Sequence, residues 1–122
     1  MKLHASVPAG RNAFTGYGEG YVVLNGERRA SSVVVLRDRV VGWDAEAFDR
    51  LTAEDFGFLG SLDVEIVILG TGARQRFPHP RLTAALARAG IGLEVMDVHA
   101  ACRTYNILAA EERKVAAALL FA

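Results

Sequence analysis

Val64-Glu65-Ile66-Val67-Ile68-Leu69 and Ile91-Gly92-Leu93-Glu94-Val95-Met96 decide the fold, because of what stands between them. The first run is almost wholly apolar, which predicts a strand buried on both faces and central in its sheet. After it, the stretch Gly70 to His79 reads as a loop, and Pro80 suits the first turn of a helix, where its missing N–H costs nothing. Leu82, Ala85, Leu86 and Ala89 then recur at i, i+3, i+4 and i+7, a single apolar stripe, and Gly90 stops the helix. Strand, helix and strand in so short a span make a βαβ unit, so the two strands are expected to be parallel.

Working outward toward the C-terminus, Asp97 is placed to cap a second helix running through His99, Arg103 and Asn106 to about Ala109. The tail, Val115-Ala116-Ala117-Ala118-Leu119-Leu120, is ambiguous from its residues: alanine propensity favours helix, while the break at Glu111-Glu112-Arg113 favours a new element. Toward the N-terminus, Thr52 and Asp55 resemble a capping box that opens a short helix ending near Gly60. Further back, Tyr21–Leu24 and Ser32–Leu36 read as strands, with the hairpin signal Asn25-Gly26 between them. Asp38-Arg39 turns into a further antiparallel strand over Val40–Trp43. Leu3 to Val7 is read as a short strand and Ala9 to Gly18 as a loop.

The whole is expected to be one α/β domain over residues 1–122, a mixed β-sheet flanked by helices. An N-terminal β-hairpin region leads into the βαβ unit and a further helix and strand. The 122 residues are enough to bury roughly two-thirds of the unfolded surface without a disulfide or metal staple. Fourteen basic and fourteen acidic side chains cancel, which removes the electrostatic footprint of a dedicated nucleic-acid binder. One cysteine makes no intrachain disulfide, so a reducing compartment is the natural reading. Met1 to Ala5 carry no signal-peptide core and no apolar run reaches a membrane span, so a cytoplasmic protein is expected. No pattern specifies an oligomeric state.

Gly70-Thr71-Gly72 stands where a buried strand ends, followed by Arg74 and Arg76, and ligands of α/β sheets bind at that edge. Glycines there let backbone N–H groups approach an anion, and arginines neutralise it; the alternative is a tight turn with solvated arginines. His99, Arg103 and Asn106 fall at i, i+4 and i+7, a polar stripe suited to a carboxylate, to a partner's polar backbone, or simply to solvent. Cys102, near the first turns of that helix and three residues from His99, has the outline of an activated thiol, yet a lone Cys between alanines is usually a small buried hydrophobe. The Cys and His residues make no four-ligand metal set, and no cofactor is expected. Tyr17 and Trp43 are read mainly as core, and Asp44, Glu46 and Asp49 as a solvated acidic segment without an acid/base pair.

The order Ile68-Leu69-Gly70-Thr71-Gly72, Gly90-Ile91-Gly92-Leu93-Glu94-Val95-Met96-Asp97, Ala100-Ala101-Cys102-Arg103-Thr104-Tyr105-Asn106-Ile107-Leu108 and Glu111 to Leu120 resembles the domain-of-unknown-function family DUF 498. That family includes a mitochondrial complex I assembly factor and an adipogenesis-associated protein. The likeness extends over nearly the whole chain and is most specific in Arg103-Thr104-Tyr105-Asn106. It implies an α/β domain with a mixed sheet, and it tips the tail toward a strand. The sequence departs from the family pattern at Asp97-Val98, where Asp-Thr is expected, and at Glu111-Glu112-Arg113, where Glu-Gly-Arg is expected. The family accepts other small residues at the Cys102 position, which counts against a cysteine nucleophile.

The resemblance implies a non-enzymatic binding or assembly protein. It would hold a protein partner or a small anionic ligand on a surface around the Gly70–Gly72 loop and the Arg103–Asn106 helix. The candidate residues are Gly70, Thr71, Gly72, Arg74, His99, Arg103, Thr104, Tyr105 and Asn106. The alternative is an enzyme acting on a small anionic substrate at the same edge, with Arg103 stabilising charge and Tyr105 or His99 as acid/base. A fold without a site is the third reading.

Overall fold

The apolar run after Asp63 forms β6 (Ile66–Thr71), and the strand after the intervening helix forms β7 (Gly92–Met96); the two pair in parallel. The computed structural model describes residues 1–4 and 6–122. Between the strands lies α2 (Pro80–Arg88), with Pro80 in its first turn and the His79 side chain accepting from the Arg81 N–H. Gly90, at φ +71°, leaves the helix by a conformation that suits glycine. The expected βαβ unit is therefore present. β6 starts two residues later than Val64 and runs on through Gly70 and Thr71, which the sequence reading had placed in the loop.

The ambiguous tail is β8 (Val115–Leu120), every residue of it buried. It lies between β6, to which it is parallel, and β4 (Val33–Val35), to which it is antiparallel; β5 (Val40–Gly42) completes a five-stranded sheet in the order β5-β4-β8-β6-β7. Val115, Ala117 and Leu119 join one core, while Ala116, Ala118 and Leu120 join another. A strand covered on both faces gains more from burying its small side chains than from alanine's preference for helix, so burial overrides propensity.

One face of this sheet carries α1 (Ala53–Gly60) and α2. The capping box of α1 is formed as read: the Asp55 N–H donates to Thr52 Oγ1, and the Thr52 N–H donates to the Asp55 carboxylate. Phe56, Leu59 and Leu86 seal that face together with Trp43. The other face carries α3 (Val98–Ala110), capped by Asp97, whose carboxylate accepts from the Ala100 N–H.

A second, three-stranded antiparallel sheet packs on α3, built from β1 (Phe14–Gly18), β2 (Tyr21–Leu24) and β3 (Glu27–Arg29). The Asn25-Gly26 turn is where the sequence placed it, both residues having positive φ (52° and 83°) as a two-residue hairpin loop needs. Its partner strand is the short polar Glu27–Arg29, not Ser32–Leu36. The fully buried valines of β4 go instead to the five-stranded sheet, where both faces are covered. Phe14–Gly18, read as loop because of its glycines, is a strand because Phe14 and Tyr17 are buried against α3. Of the proposed strand Leu3–Val7, Ala5 lies outside the described residues; next to it, Lys2 forms a single bridge to Gly16.

Candidate functional site

At the carboxyl end of β6 the chain is tied down by its own polar groups. The Thr71 hydroxyl donates to the Arg74 carbonyl (2.8 Å) and accepts from the Arg76 N–H (3.0 Å), and the Gly72 carbonyl accepts from the Val98 N–H that begins α3 (2.8 Å). Gly72 turns at φ +81°. Gly70 is not part of an open loop. A Cβ there would stand 2.8 Å from Leu119 Cδ2, 3.1 Å from Ala101 Cβ and 3.2 Å from Val98 Cα, so glycine allows α3 to approach the sheet. Arg74 is exposed, whereas Arg76 lies over the Phe48 ring (4.3 Å) and 3.4 Å from Asp49.

The polar stripe of α3 binds a polar backbone, and the backbone is the chain's own. His99 stacks on Tyr17 with ring centroids 4.0 Å apart and planes at 14°, and its Nε2 lies 2.8 Å from the Gly18 carbonyl. Arg103 donates to the Tyr17 hydroxyl at 2.6 Å. The Asn106 amide accepts from the Phe14 N–H (2.9 Å) and donates to the Phe14 carbonyl (2.8 Å). One helix face thus holds β1 at three successive points along the strand. The sequence showed the stripe but not its occupant, since β1 lies some eighty to ninety residues away in the chain.

The apolar side of α3 is closed. Cys102 is fully buried, and burial pushes its thiol up to about 12, with Asp97 adding and Arg103 opposing. Burial also raises the Tyr105 phenol, with the charge of Asp38 adding and that of Arg11 opposing; its ring meets Phe14 edge-on at 5.3 Å. Both groups stay neutral near pH 7. Thr104 is half-buried.

Among the candidates, Gly72 and His99 face one cleft. It holds about 210 Å³ and is lined by Glu19, Gly20, Gly72, Ala73, Val98, His99 and Phe121. Arg103 and Asn106 lie further down the helix, committed to β1; Gly70 and Tyr105 are buried. The sequence reading missed Glu19, Gly20, Ala73, Val98 and Phe121. Ala73 and Val98 adjoin candidates in the chain, whereas Glu19 and Gly20 come from the β1–β2 turn and Phe121 follows β8, and no spacing along the chain signals that these meet. The lining is mostly apolar, with Glu19 and His99 as its titratable members.

A family model described as a protein of unknown function (DUF498/DUF598) matches residues 14–120. The chain is 35% identical over 106 residues to a protein of Bos taurus named NADH dehydrogenase [ubiquinone] 1 alpha subcomplex assembly factor 3, covering 85% of this chain and 58% of that one. The chain thus spans little more than half the length of this curated relative. Among solved structures, it is similar to a crystal structure of a Bordetella parapertussis protein, at TM-score 0.87 and 36% identity over 94% of this chain and all of the other. It is also similar to an NMR structure of a Xanthomonas campestris protein, at TM-score 0.80 and 31% identity, covering 98% of this chain and 89% of that one.

Proposed function

The chain belongs to the DUF498/DUF598 family, and from that premise we propose that it is a non-enzymatic binding or assembly protein of the cytoplasm. It holds a protein partner at the edge where the Gly72 turn meets the start of α3. The observation that carries this reading is the small apolar cleft beside Gly72 and His99, next to side chains whose hydrogen bonds are already used within the fold. The assembly role named for the bovine relative supports it. The neutral, buried Cys102 and Tyr105 supply neither a nucleophile nor a base.

The test is quantitative capture of partners by the tagged chain from its native host, comparing wild type with Ala73→Tyr and Arg103→Ala. Ala73 is exposed at the cleft, so tyrosine there fills the cleft and leaves the core untouched. A partner held by wild type and lost from the folded Ala73→Tyr protein is the expected result. An unchanged partner set, together with a thermal shift produced by phosphate or citrate, would move the function to a small anion.

A further inference from the structure

Among the described residues, every sheet edge but that of β5 is covered or carries charge along it. The outer edge of β1 is occupied by the start of the chain, through Leu3 N–H to the Thr15 carbonyl and Tyr17 N–H to the Met1 carbonyl. β3 is charged throughout, as Glu27-Arg28-Arg29. At β7, Glu94 is exposed and the Gln75 side chain donates to the Val95 carbonyl. These are ordinary ways of stopping another strand from pairing. β5, Val40-Val41-Gly42, has no such protection.

Its register shows which groups are free. Leu36 pairs with Arg39 and Ser32 with Trp43 through backbone hydrogen bonds, and Val34 stands opposite Val41. In an antiparallel ladder the bonded pairs alternate, so the N–H and C=O groups of Val40 and Gly42 point away from β4. Among the described residues nothing pairs with them.

Two grooves adjoin the Gly42 end of this edge. One, of about 340 Å³, lies toward α1 and is lined by Val41, Gly42, Trp43, Glu54 and Phe58 among others. The other, of about 610 Å³, lies toward the three-stranded sheet and includes Ser31, Ser32, Gly42, Trp43, Asp44 and Glu46. An added strand sends alternate side chains to opposite faces, and the two grooves meet at Gly42 and Trp43, where such a strand would run past the end of β5. The charged lining is acidic: Asp44, Glu46, Glu54 and Asp55 line the grooves and no Lys, Arg or His does, with Glu46 paired to Arg50 at 2.8 Å and Asp55 capping α1, which leaves Asp44 and Glu54 for a partner. Trp43 lines both grooves at 7% exposure, and its indole N–H is buried without an acceptor, a donor left over by the fold itself.

From this edge and its acidic grooves we infer that β5 receives an extended, lysine- or arginine-bearing segment of a partner protein as an additional strand. The main chain of the segment bonds to Val40 and Gly42, and its basic side chains lie over the carboxylates. A second copy offers at this edge only Val40-Val41-Gly42, a strand with no Lys or Arg to meet the carboxylates, so charge complementarity favours a basic segment over self-pairing. The larger groove adjoins the His99 cleft, sharing Gly20 and Phe121 with it, whereas the groove toward α1 shares no lining residue with that cleft and is the part that Ala73→Tyr is expected to leave intact.

The test uses a fluorescein-labelled peptide of alternating Lys and Val, with a Glu and Val peptide as control, followed by anisotropy and by amide exchange of the intact chain. Saturable binding of the Lys peptide alone is expected, weakening with salt and slowing exchange at Val40 and Gly42. Gly42→Pro removes an outward N–H and no ladder bond, and a Cβ there meets nothing within 4 Å, so the fold is expected to survive, which its melting curve checks. It is expected to weaken binding at least about tenfold. Asp44→Lys, at an exposed position, is expected to weaken it similarly while melting like wild type. Equal binding of both peptides, binding that survives both substitutions, or no binding overturns the proposal. So does protection of Val40 and Gly42 that rises with protein concentration alone, which would make a second copy the occupant.

Discussion

Asn106 is 6% exposed and satisfies both main-chain groups of Phe14, a residue that no strand bonds on that side. Replacing it with alanine leaves a buried N–H and a buried carbonyl without partners. Asn106→Ala is therefore expected to lose about 2–3 kcal/mol in urea unfolding, with near-native helix content. Cys102 gives the alkaline limit of stability. Its thiol ionises at about 12 in the fold against 9.0 for an unperturbed cysteine, so between these values the unfolded chain has lost a proton that the folded chain keeps. Stability is unaffected by this group below about pH 9 and falls as pH rises toward 12. The raised Tyr105 phenol acts in the same direction. Urea midpoints measured from pH 8 to 11 should decline, and Cys102→Ala should flatten the part that begins near 9. A native-state reaction of Cys102 with iodoacetamide at pH 8 should be negligible until urea unfolds the chain.

At the scale of elements, α3 ends on a residue whose backbone conformation glycine would suit better than the glutamate present. Glu112 has φ 59°, and the Glu112 and Arg113 N–H groups bond back to the Ala109 and Leu108 carbonyls (both 3.0 Å), which closes the helix in a left-handed turn. A glycine holds that conformation without strain, so Glu112→Gly is expected to raise stability by about 1 kcal/mol in thermal melts. Thr52→Ala removes one side of the capping box of α1 and is expected to cost about 1 kcal/mol. Gly70→Val is expected to cost at least as much as Thr52→Ala. Its side chain would press on Leu119, Ala101 and the Val98 backbone and force α3 from the sheet, with a loss of about 1–3 kcal/mol. These element ends were readable in the sequence, because capping acts within a few residues: Thr52, Asp97 and Gly90 all do what their types suggest.

For the whole molecule, α3 is the layer shared by the two sheets. The five-stranded sheet is held by β8, buried on both faces, while the three-stranded sheet is held chiefly by its packing and polar contacts with α3. Native-state hydrogen exchange should therefore be slowest in β6 and β8 and fastest in β3, with the β1–β3 unit opening before the larger sheet. Arg103→Ala, which frees Tyr17 on one side, should accelerate exchange in β1 and β2 and leave β6 unchanged. Uniform acceleration across both sheets would show that the two unfold as a single unit.

The parallel pair β6–β7, the helix between them and the caps of α1 and α3 were set by the sequence alone, because each depends on periodicity or on contacts a few residues apart. The resemblance carried by the C-terminal half added the strand character of the tail. Only the tertiary structure decided that β1 is a strand, that the hairpin closes on Glu27–Arg29, and that the His99–Arg103–Asn106 stripe faces β1. It also decided which edge stays open. These depend on which surfaces meet after the chain has folded back over eighty residues and more, and pairings at that distance are selected by total burial and polar satisfaction, which no local pattern records.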